Sequence, residues 1–517
     1  MTQIITADID VYDPSIPGVI TLRYATQSYV TQPTDTPANT YYDGRIQQPA
    51  NVQRSCFTRG TTFGKSQISF GDMVLINNDG ALDALLNYSF IGRAITIRIG
   101  TILPNSGGIP TWVTVLKGTM EQAQVSWQKV TIRVRDRQQD LALPIQANRY
   151  AGTNSLPNGL EGVADIQGRA KPLVFGQVFN VPMPLVNSAR LIYQLHDGSA
   201  LQSIDAVYDR GAALSAGAAY TSQTDMETTA PTSGQYRAWN SAAGTFIRLA
   251  SNPSGTVTAD ATQGATAAAR TVAQLYNTIL LKAGINSTDI SAADITALDA
   301  KASYPTGIFT GHQHDSTTLE LLDQLCGSVG AWFGVNATGS FRISRIELPT
   351  GTSAGTITAT DVTTIERRSS NDGGAGIPAW KVKVAYQKNY TQQADLTAAV
   401  NVARKSILEQ EFQRVEASDA TIKTGTLTSP ELDFPTCIVA QTDAITEAAR
   451  LLTIYKTRRD MYDVTIRVDA ALASLLDLGT TITLQLNRYG MAAGKKFLII
   501  GIRTDMKGYR FGLTLWG

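Results

Sequence analysis

The sequence of 517 residues is poor in cysteine, histidine and charge. Its three cysteines, Cys56, Cys326 and Cys437, lie far apart and form no Cys-x-x-Cys pair. A disulfide framework or a four-cysteine zinc or iron–sulfur site is therefore excluded within one chain, and we expect reduced, mostly buried thiols. Charged residues make up only 17% of the chain and the net charge is +1, so no overall field attracts nucleic acid or an anionic membrane.

Long apolar segments are also missing. No stretch approaches the roughly 18 apolar residues of a membrane-spanning helix, and the segment Met1–Asp8 has neither the basic region nor the apolar core of a signal peptide. We therefore expect a chain without a membrane anchor, made and kept in a soluble compartment. The hydrophobic fraction of 43% is ordinary for a globular protein. Because one core serves roughly 250 to 300 residues, the chain is expected to form several domains.

Apolar and polar residues alternate over much of the chain, which predicts an α+β fold that is predominantly β and multidomain. The predicted domains are a β-barrel-like domain over 1–145, a β-rich domain with long loops over 146–265, a mixed α/β domain over 266–376, and a second β-barrel-like domain with two helices over 377–517. The last boundary is placed at Asn371–Gly376. Segments 212–235 and 251–268 are rich in small residues and predict surface loops.

Helical periodicity is confined to the second half of the chain. It predicts helices over Ala267–Ala283, over a short segment that ends at about Ala302, and over Ser316–Val329, Ala394–Phe412 and Thr442–Met461. Ser287-Thr288-Asp289 and Ser291 are suitable N-caps for the second helix, and Asp315 or Ser316 for the third, because short polar side chains accept hydrogen bonds from the first helical amides.

The two ends of the chain resemble each other. In Leu86–Asp136 and again in Leu478–Gly517, a strand-like run begins at a glycine (Gly92 and Gly479), and a loop, a second run, a turn and a third run follow. Two similar small β-barrels per chain would follow from such a duplication. The alternative is chance, because any two β-meanders share part of this pattern.

Three motifs typical of enzymes or metal proteins are present in incomplete form. Arg59–Ser66 approaches a phosphate-binding loop, but its first glycine is one position too close to the Gly-Lys pair and a strand-like run follows. Gly351–Gly355 matches a nucleophile elbow, yet a strand-like run follows it and every histidine precedes its serine. His312, His314 and Asp315 could contribute ligands to a metal ion, but further ligands are not visible. We therefore predict no catalytic, cofactor-binding or metal-binding residue.

Arginines are concentrated at three places. These are Arg367-Arg368, Arg458-Arg459 and the alternating Arg133, Arg135 and Arg137. Because acidic residues balance basic ones over the chain, these arginines indicate a solvated or interface face more than a nucleic-acid site. No acid stands in an apolar, aromatic-lined context that would raise its pKa, so a glycosidase acid pair is not indicated.

Several sequence blocks resemble the hub or tail-tip structural proteins of long-tailed bacteriophages. The blocks span almost the whole chain: Tyr41–Pro49, Gly71–Asp83, Lys171–Val181, Tyr193–Gly198, Val384–Thr391, Leu478–Leu484 and Leu513–Gly517. The resemblance implies a ring of three chains, each holding two tube-like barrels, which presents a pseudo-sixfold surface to a sixfold tail tube. It carries no catalytic residue and implies no enzyme activity and no cofactor.

The resemblance also implies partners and a location. The chain would form a homo-oligomer, a trimer or alternatively a hexamer, in the tail tip or baseplate of a virion assembled in the bacterial cytoplasm. Its neighbours would be tail-tube and distal tail proteins, central fibre or spike proteins and the tape-measure protein, with DNA present only in transit through the channel. Three other functions stay open: a sixfold distal tail ring, a tail-associated cell-wall hydrolase with 170–345 as its catalytic domain, and a receptor-binding module that uses aromatic loops such as Tyr236–Trp239.

Overall fold

The computed structural model describes residues 2–58, 61–67, 69–102, 108–368 and 376–517. The fold is 39% strand and 17% helix and contains two half-barrel sheets, which confirms the predicted multidomain, predominantly β, α+β class. The expected boundary at Asn371–Gly376 lies outside the described residues, except for its last residue. Arg59 and Gly60 of the incomplete phosphate-binding motif also lie outside them.

The first 135 residues form an eight-stranded antiparallel sheet. The strands of this region are β1 (Thr2–Asp13), β2 (Gly18–Ala25), β3 (Tyr29–Val30), β4 (Tyr41–Tyr42), β5 (Ile46–Gln48), β6 (Gln53–Ser55), β7 (Phe70–Ile76), β8 (Ala94–Ile102), β9 (Pro110–Met120), β10 (Gln124–Val125) and β11 (Lys129–Arg135). The sheet order is β2-β1-β8-β9-β11-β7-β5, with β10 beside β11. Tyr24 of β2 bridges Asp43, just before β5, so the two edges of the sheet meet. We call this unit the N-terminal barrel.

Two five-stranded sheets form the middle of the chain, together with a helical layer of α2 (Val272–Lys282), α3 (Ala292–Asp299) and α4 (Thr318–Gly327). The strands are β12 (Leu173–Pro182), β13 (Leu185–Asn187), β14 (Ile192–His196), β15 (Ser203–Asp209), β16 (Ala212–Ala213), β17 (Ser215–Ala216), β18 (Gln235–Ser241), β19 (Gly244–Leu249), β20 (Val257–Thr262), β21 (Gly307–Thr310), β22 (Ala331–Val335) and β23 (Phe341–Arg345). Sheet β16-β15-β20-β12-β21 packs on sheet β13-β14-β19-β18-β17 across a buried apolar core. We call this pair of sheets the middle sandwich.

The predicted surface loop over 251–268 is wrong, because it contains β20 at the centre of a sheet. β20 lies between β12 and β15, and Ala259 and Ala261 are fully buried in the core of the middle sandwich. Asp260 accepts hydrogen bonds from the Asn180 amide (2.7 Å) and the Tyr208 hydroxyl (2.7 Å). The small side chains fit a narrow part of the core, whereas composition alone had indicated a loop. The loop predicted over 212–235 likewise contains β16, β17 and a short helix.

Helices lie in all five segments where periodicity predicts them, with different ends, and three further short helices were not predicted. They are α1 (Gln223–Thr228), α2 (Val272–Lys282), α3 (Ala292–Asp299), α4 (Thr318–Gly327), α5 (Val402–Leu408), α6 (Ile422–Gly425), α7 (Gln441–Tyr455) and α8 (Ala470–Leu475), with short 3₁₀ turns at Asp83–Asn87, Arg137–Ala142, Ala267–Arg270 and Ser287–Asp289. Ser291 caps α3 as predicted, since its hydroxyl accepts a hydrogen bond from the Asp294 amide at 3.3 Å. α5 covers only part of the helix predicted over Ala394–Phe412, because Asn401 caps it at residue 402.

The cap predicted for α4 is wrong by one or two residues. Thr317 accepts a hydrogen bond from the Glu320 amide (3.2 Å), and the Glu320 carboxylate accepts one from the Thr317 amide (3.0 Å), which forms a capping box. Asp315 instead forms an ion pair with Arg149 at 3.1 Å.

The last third of the chain contains a second half-barrel sheet. Its strands are β24 (Thr356–Thr358), β25 (Val362–Arg367), β26 (Lys381–Tyr386), β27 (Gln413–Ser418), β28 (Glu431–Pro435), β29 (Met461–Arg467), β30 (Thr481–Gln485), β31 (Lys495–Asp505) and β32 (Arg510–Trp516). The sheet order is β24-β30-β31-β32-β29-β25, and only residues 359–361 separate its two end strands in the chain. We call this unit the C-terminal barrel. Strands β27-β26-β28 form a separate small sheet that packs against α7.

His196, at the end of β14, makes the stability of the middle sandwich dependent on pH. Its imidazole is 2% exposed, and its Nδ1 accepts a hydrogen bond from the Val174 amide at 3.0 Å. Burial lowers the pKa of His196 from 6.5 to about 4. Because the folded pKa lies below the unfolded pKa, the stabilisation by the neutral ring is complete above pH 6.5 and is lost as the pH falls through 4.

We expect the wild-type protein to lose about 3 kcal/mol of unfolding free energy from this group between pH 7 and pH 4. The variant His196→Gln removes that contribution, so its stability falls less steeply over the same range in denaturant titrations. His314→Gln is the matched control, because His314 is exposed. Equal pH slopes for the wild type and His196→Gln would contradict the assignment.

Candidate assembly surface

The two barrels share an arrangement of six strands, which occupy corresponding places in the two sheets. Taken in chain order, the strands of the N-terminal barrel are β1, β5, β7, β8, β9 and β11, and their counterparts in the C-terminal barrel are β24, β25, β29, β30, β31 and β32. A short helix separates the matching strands β7 and β8 (Asp83–Asn87) and also β29 and β30 (α8). Among these six strands the barrels differ at one pair, since β1 pairs antiparallel with β8 and β24 pairs parallel with β30. Outside them, β2 and β10 have no counterpart in the C-terminal barrel. The predicted similarity of Leu86–Asp136 and Leu478–Gly517 therefore extends to six strands of each sheet.

A strand from the N-terminal half joins the C-terminal barrel. β6 pairs antiparallel with β31, with Ser55 opposite Gly501 and Gln53 opposite Arg503. Beside this pair, the Val52 amide donates a hydrogen bond to the Thr504 hydroxyl at 2.8 Å. Apolar residues of both barrels belong to one continuous core. The barrels are therefore held in a fixed relation within each chain.

The contact between the barrels joins unlike ends. The N-terminal barrel contributes the end where β1 starts and β8 finishes, and the C-terminal barrel contributes the end that carries α8 and the turn between β31 and β32. Gln3 donates a hydrogen bond to the Val468 carbonyl at 3.0 Å, and Tyr509 donates one to the Gln3 carbonyl at 3.1 Å. The Ala470 amide donates one to the Thr101 hydroxyl at 3.0 Å. In the N-terminal barrel, the counterpart of α8 lies at the opposite end, so the two barrels meet head to tail.

An ion-pair network fixes this junction to the helical layer. Arg54 of β6 contacts Asp477 at 2.8 Å and donates a hydrogen bond to the Val335 carbonyl at 3.1 Å. Asp477 also lies 3.4 Å from Arg342, which pairs with Asp294 of α3. Arg54 is buried, so its charge is compensated inside the protein and does not face solvent.

The opposite end of the N-terminal barrel carries large exposed apolar side chains. It consists of the turn between β1 and β2, the connection between β7 and β8, and the turns around β10. Bridges from Tyr12 to Ser89 and from Ile91 to Met120 bring these segments together. The exposed side chains are Ile16 (72%), Leu86 (63%), Ile91 (68%) and Trp127 (90%). We call these four residues the free-end patch. Clustered exposed apolar residues of this size are typical of protein interfaces.

The structure brings the incomplete metal and enzyme motifs of the sequence into no common site. Asp315 pairs with Arg149, and no group of three or more metal-ligating side chains occurs among the described residues. The hydroxyl of Ser353 donates a hydrogen bond to the Gly355 carbonyl at 2.7 Å. In the incomplete phosphate-binding motif Arg59–Ser66, the Ser66 amide donates a hydrogen bond to the Asp323 carboxylate at 2.9 Å. No helix in the described ranges is long and apolar enough to cross a membrane.

The cysteines and arginines have ordinary structural environments. All three cysteines are free and buried, as predicted, and burial raises the pKa of each thiol. Two of the three predicted arginine clusters are ion-paired, with Arg133 bound to Asp72, Arg135 to Glu121, Arg137 to Asp289, Arg367 to Asp460 and Arg368 to Asp463. In the third cluster, Arg459 lies over the ring of Trp516, 6.0 Å from the ring centre.

The prediction of an aromatic loop at Tyr236–Trp239 is wrong, because these residues lie in β18. Tyr236 is buried, while Trp239 stacks on Phe246 of β19 with ring centres 5.6 Å apart. The aromatic residues are therefore part of a rigid sheet.

Solved structures similar to this chain include three tail proteins. The 43 kDa tail protein of prophage MuSo2 from Shewanella oneidensis is 11% identical, with 99% of this chain and 98% of that chain covered and a TM-score of 0.41. The tail protein from Neisseria meningitidis MC58 is 9% identical (100% and 97% covered, TM-score 0.40), and prophage tail protein gp18 from Listeria monocytogenes EGD-e is 8% identical (100% and 94% covered, TM-score 0.37). Their titles name them as tail proteins, and TM-scores below 0.5 decide neither assembly nor activity. No family model and no curated protein matches the chain.

Proposed function

We propose that this chain is a structural protein of a bacteriophage tail tip or baseplate. Three copies form a ring that joins the tail tube to the fibre or spike proteins of the tip and lines the channel for DNA and the tape-measure protein. The observation that carries the proposal is the pair of matching barrels in one chain, because three such chains present six similar units to a sixfold tube.

The junction within the chain supplies a contact that a ring can repeat. One end of the N-terminal barrel packs on the unlike end of the C-terminal barrel. If the remaining end of the C-terminal barrel packs in the same way on the free-end patch of the next chain, every barrel has the same two neighbours. Heterologous contacts of this kind close into rings when the rotation per unit fits. The exposed apolar residues of the free-end patch are then buried between chains.

In the same proposal, 1–145 is one tube-like domain, and 377–517 together with strands β24 and β25 at 356–367 is the other. Residues 146–265 and the part of 266–376 that precedes β24 are inserted between them. A sixfold distal tail ring is the weaker alternative, since six chains with two barrels each would present twelve units. A hydrolase is also less favoured, because neither a nucleophile–histidine pair nor a metal-ligand group is found in the described parts of 170–345.

The solution mass of the purified full chain tests the ring. Light scattering coupled to size-exclusion chromatography is expected to give three times the chain mass of 55.5 kDa in the absence of other tail proteins. A mass of six chains would favour the distal ring. A chain that stays monomeric at high concentration, and that does not assemble on isolated tail tubes, would contradict the proposal.

A further inference from the structure

A cleft on the middle sandwich, away from both barrels, has the form of a ligand site. It encloses about 520 Å³ between the segment before β12, the start of α1 and the hairpin of β18 and β19. The side chains that matter below are Ser155, Asn158, Glu161, Lys171, Gln223 and Trp239. Binding sites for small molecules are typically concave, with an apolar surface and a few placed polar groups.

The loop that forms one wall of the cleft is held in shape without a ligand. The Asn154 side chain donates hydrogen bonds to the Val186 carbonyl (2.6 Å) and the Gly159 carbonyl (3.1 Å), and accepts one from the Glu161 amide (2.7 Å). The Gly159 amide donates to Glu227 of α1 at 3.1 Å. A pre-shaped wall lowers the entropy cost of binding.

The floor of the cleft is a flat aromatic surface. Trp239 is half-buried and stacks on buried Phe246 with an interplanar angle of 22°. The indole Nε1 of Trp239 makes no hydrogen bond with any described residue. One ring face is therefore fixed by stacking, while the polar edge stays available to a ligand.

The polar groups around this floor are mixed in kind and balanced in charge. Lys171 and Glu161 pair at 2.7 Å and cancel each other. The Ser155 hydroxyl, the Asn158 Nδ2 and the Gln223 Oε1 make no hydrogen bonds within the described residues, so both donors and acceptors are free. The cleft thus lacks the excess positive charge that would favour phosphate, sulfate or a nucleic-acid backbone.

We propose that this cleft binds a neutral saccharide, with one hexopyranose ring against Trp239. A pyranose has a flat face of C–H groups that fits an aromatic ring, and hydroxyls at its rim that both donate and accept hydrogen bonds. The free amide and hydroxyl groups of the cleft match that rim, and the Glu161–Lys171 pair adds a charged donor and acceptor without net charge. This assignment is independent of the ring proposal, because none of these residues lies in a barrel.

Binding of the full-length chain to an array of neutral, N-acetylated and acidic oligosaccharides tests the assignment, with affinities then measured by titration. We expect at least one neutral or N-acetylated oligosaccharide to bind, and Trp239→Ala to weaken it about tenfold or more, whereas Trp239→Phe retains part of the affinity. Gln223→Ala, a change at an exposed side chain, is expected to weaken binding several-fold.

Trp380→Ala is the matched control, since Trp380 is also half-buried but lies beside β26, outside the middle sandwich. It should leave the affinity unchanged. Unaltered thermal unfolding of Trp239→Phe and Gln223→Ala shows that weaker binding is not caused by misfolding. The assignment is overturned if no neutral or N-acetylated oligosaccharide binds at millimolar concentration, if only acidic ligands bind, or if Trp239→Ala binds as well as the wild type.

Discussion

The double variant Trp127→Ser, Leu86→Ser is expected to be a monomer under conditions where the wild-type chain forms a ring. Both side chains belong to the free-end patch, and Trp127 is 90% exposed in the single chain. Burial of each large apolar side chain between chains stabilises the contact by about 1.5–3 kcal/mol. Loss of both therefore weakens each contact by a factor on the order of 100 or more, and the ring contains three such contacts. Sedimentation velocity measures the change.

The control for this variant is Leu427→Ser. Leu427 is also 90% exposed, but it lies after α6 and outside both barrels. The control is expected to assemble as the wild type does. Both variants should have the wild-type circular dichroism spectrum, since exposed side chains contribute little to the fold of the single chain. Normal assembly of the Trp127, Leu86 variant would show that the free-end patch does not join the chains.

The variant Arg450→Met is expected to lose about 3–5 kcal/mol of unfolding free energy, because it leaves the carboxylate of Glu447 buried without a partner. Glu447 in α7 is 0% exposed, and Arg450 contacts it through two nitrogens. Arg450 also donates hydrogen bonds to the Ile346 carbonyl (3.1 Å) and the Val329 carbonyl (3.0 Å), which connect α7 to the helical layer. Urea denaturation followed by tryptophan fluorescence gives the free energy.

Two comparisons separate the ion pair from other effects of this substitution. Glu447→Gln keeps the shape of the side chain and removes the charge, so it should cost less than Arg450→Met. Arg458→Met, a change at an exposed arginine, should be nearly neutral. A loss below about 1 kcal/mol for Arg450→Met would contradict the assignment, because it would mean that the Glu447 carboxylate is not buried without a partner in the variant.

The barrels could be predicted from the sequence because their strands have one face in the core. In β8, Ile95, Ile97 and Ile99 are buried while Thr96 and Arg98 are half-exposed, which gives the alternation that the sequence shows. β20 has no such contrast, since its buried positions after Val257 hold only alanine and threonine. Strands built from small residues in a tightly packed core therefore have the composition of a loop.

The junction and the patch could not be predicted for different physical reasons. β6 has three residues, and its partner β31 lies about 450 positions later in the chain, so no local pattern indicates the pairing. Leu86 and Ile91 of the free-end patch have the same apolar character as core residues, and only the three-dimensional structure shows that they are exposed.

The Cys residues were predicted correctly, because sparse thiols without ligand spacing are usually buried.

Electron microscopy of the purified particle tests the central claim most directly. The account predicts a ring with threefold symmetry around an open channel, in which six barrel-sized densities alternate between N-terminal and C-terminal barrels and the middle sandwiches project from three of the six positions. Rings of six chains, particles in which each chain contributes one barrel to the channel wall, or isolated monomers alone would contradict it.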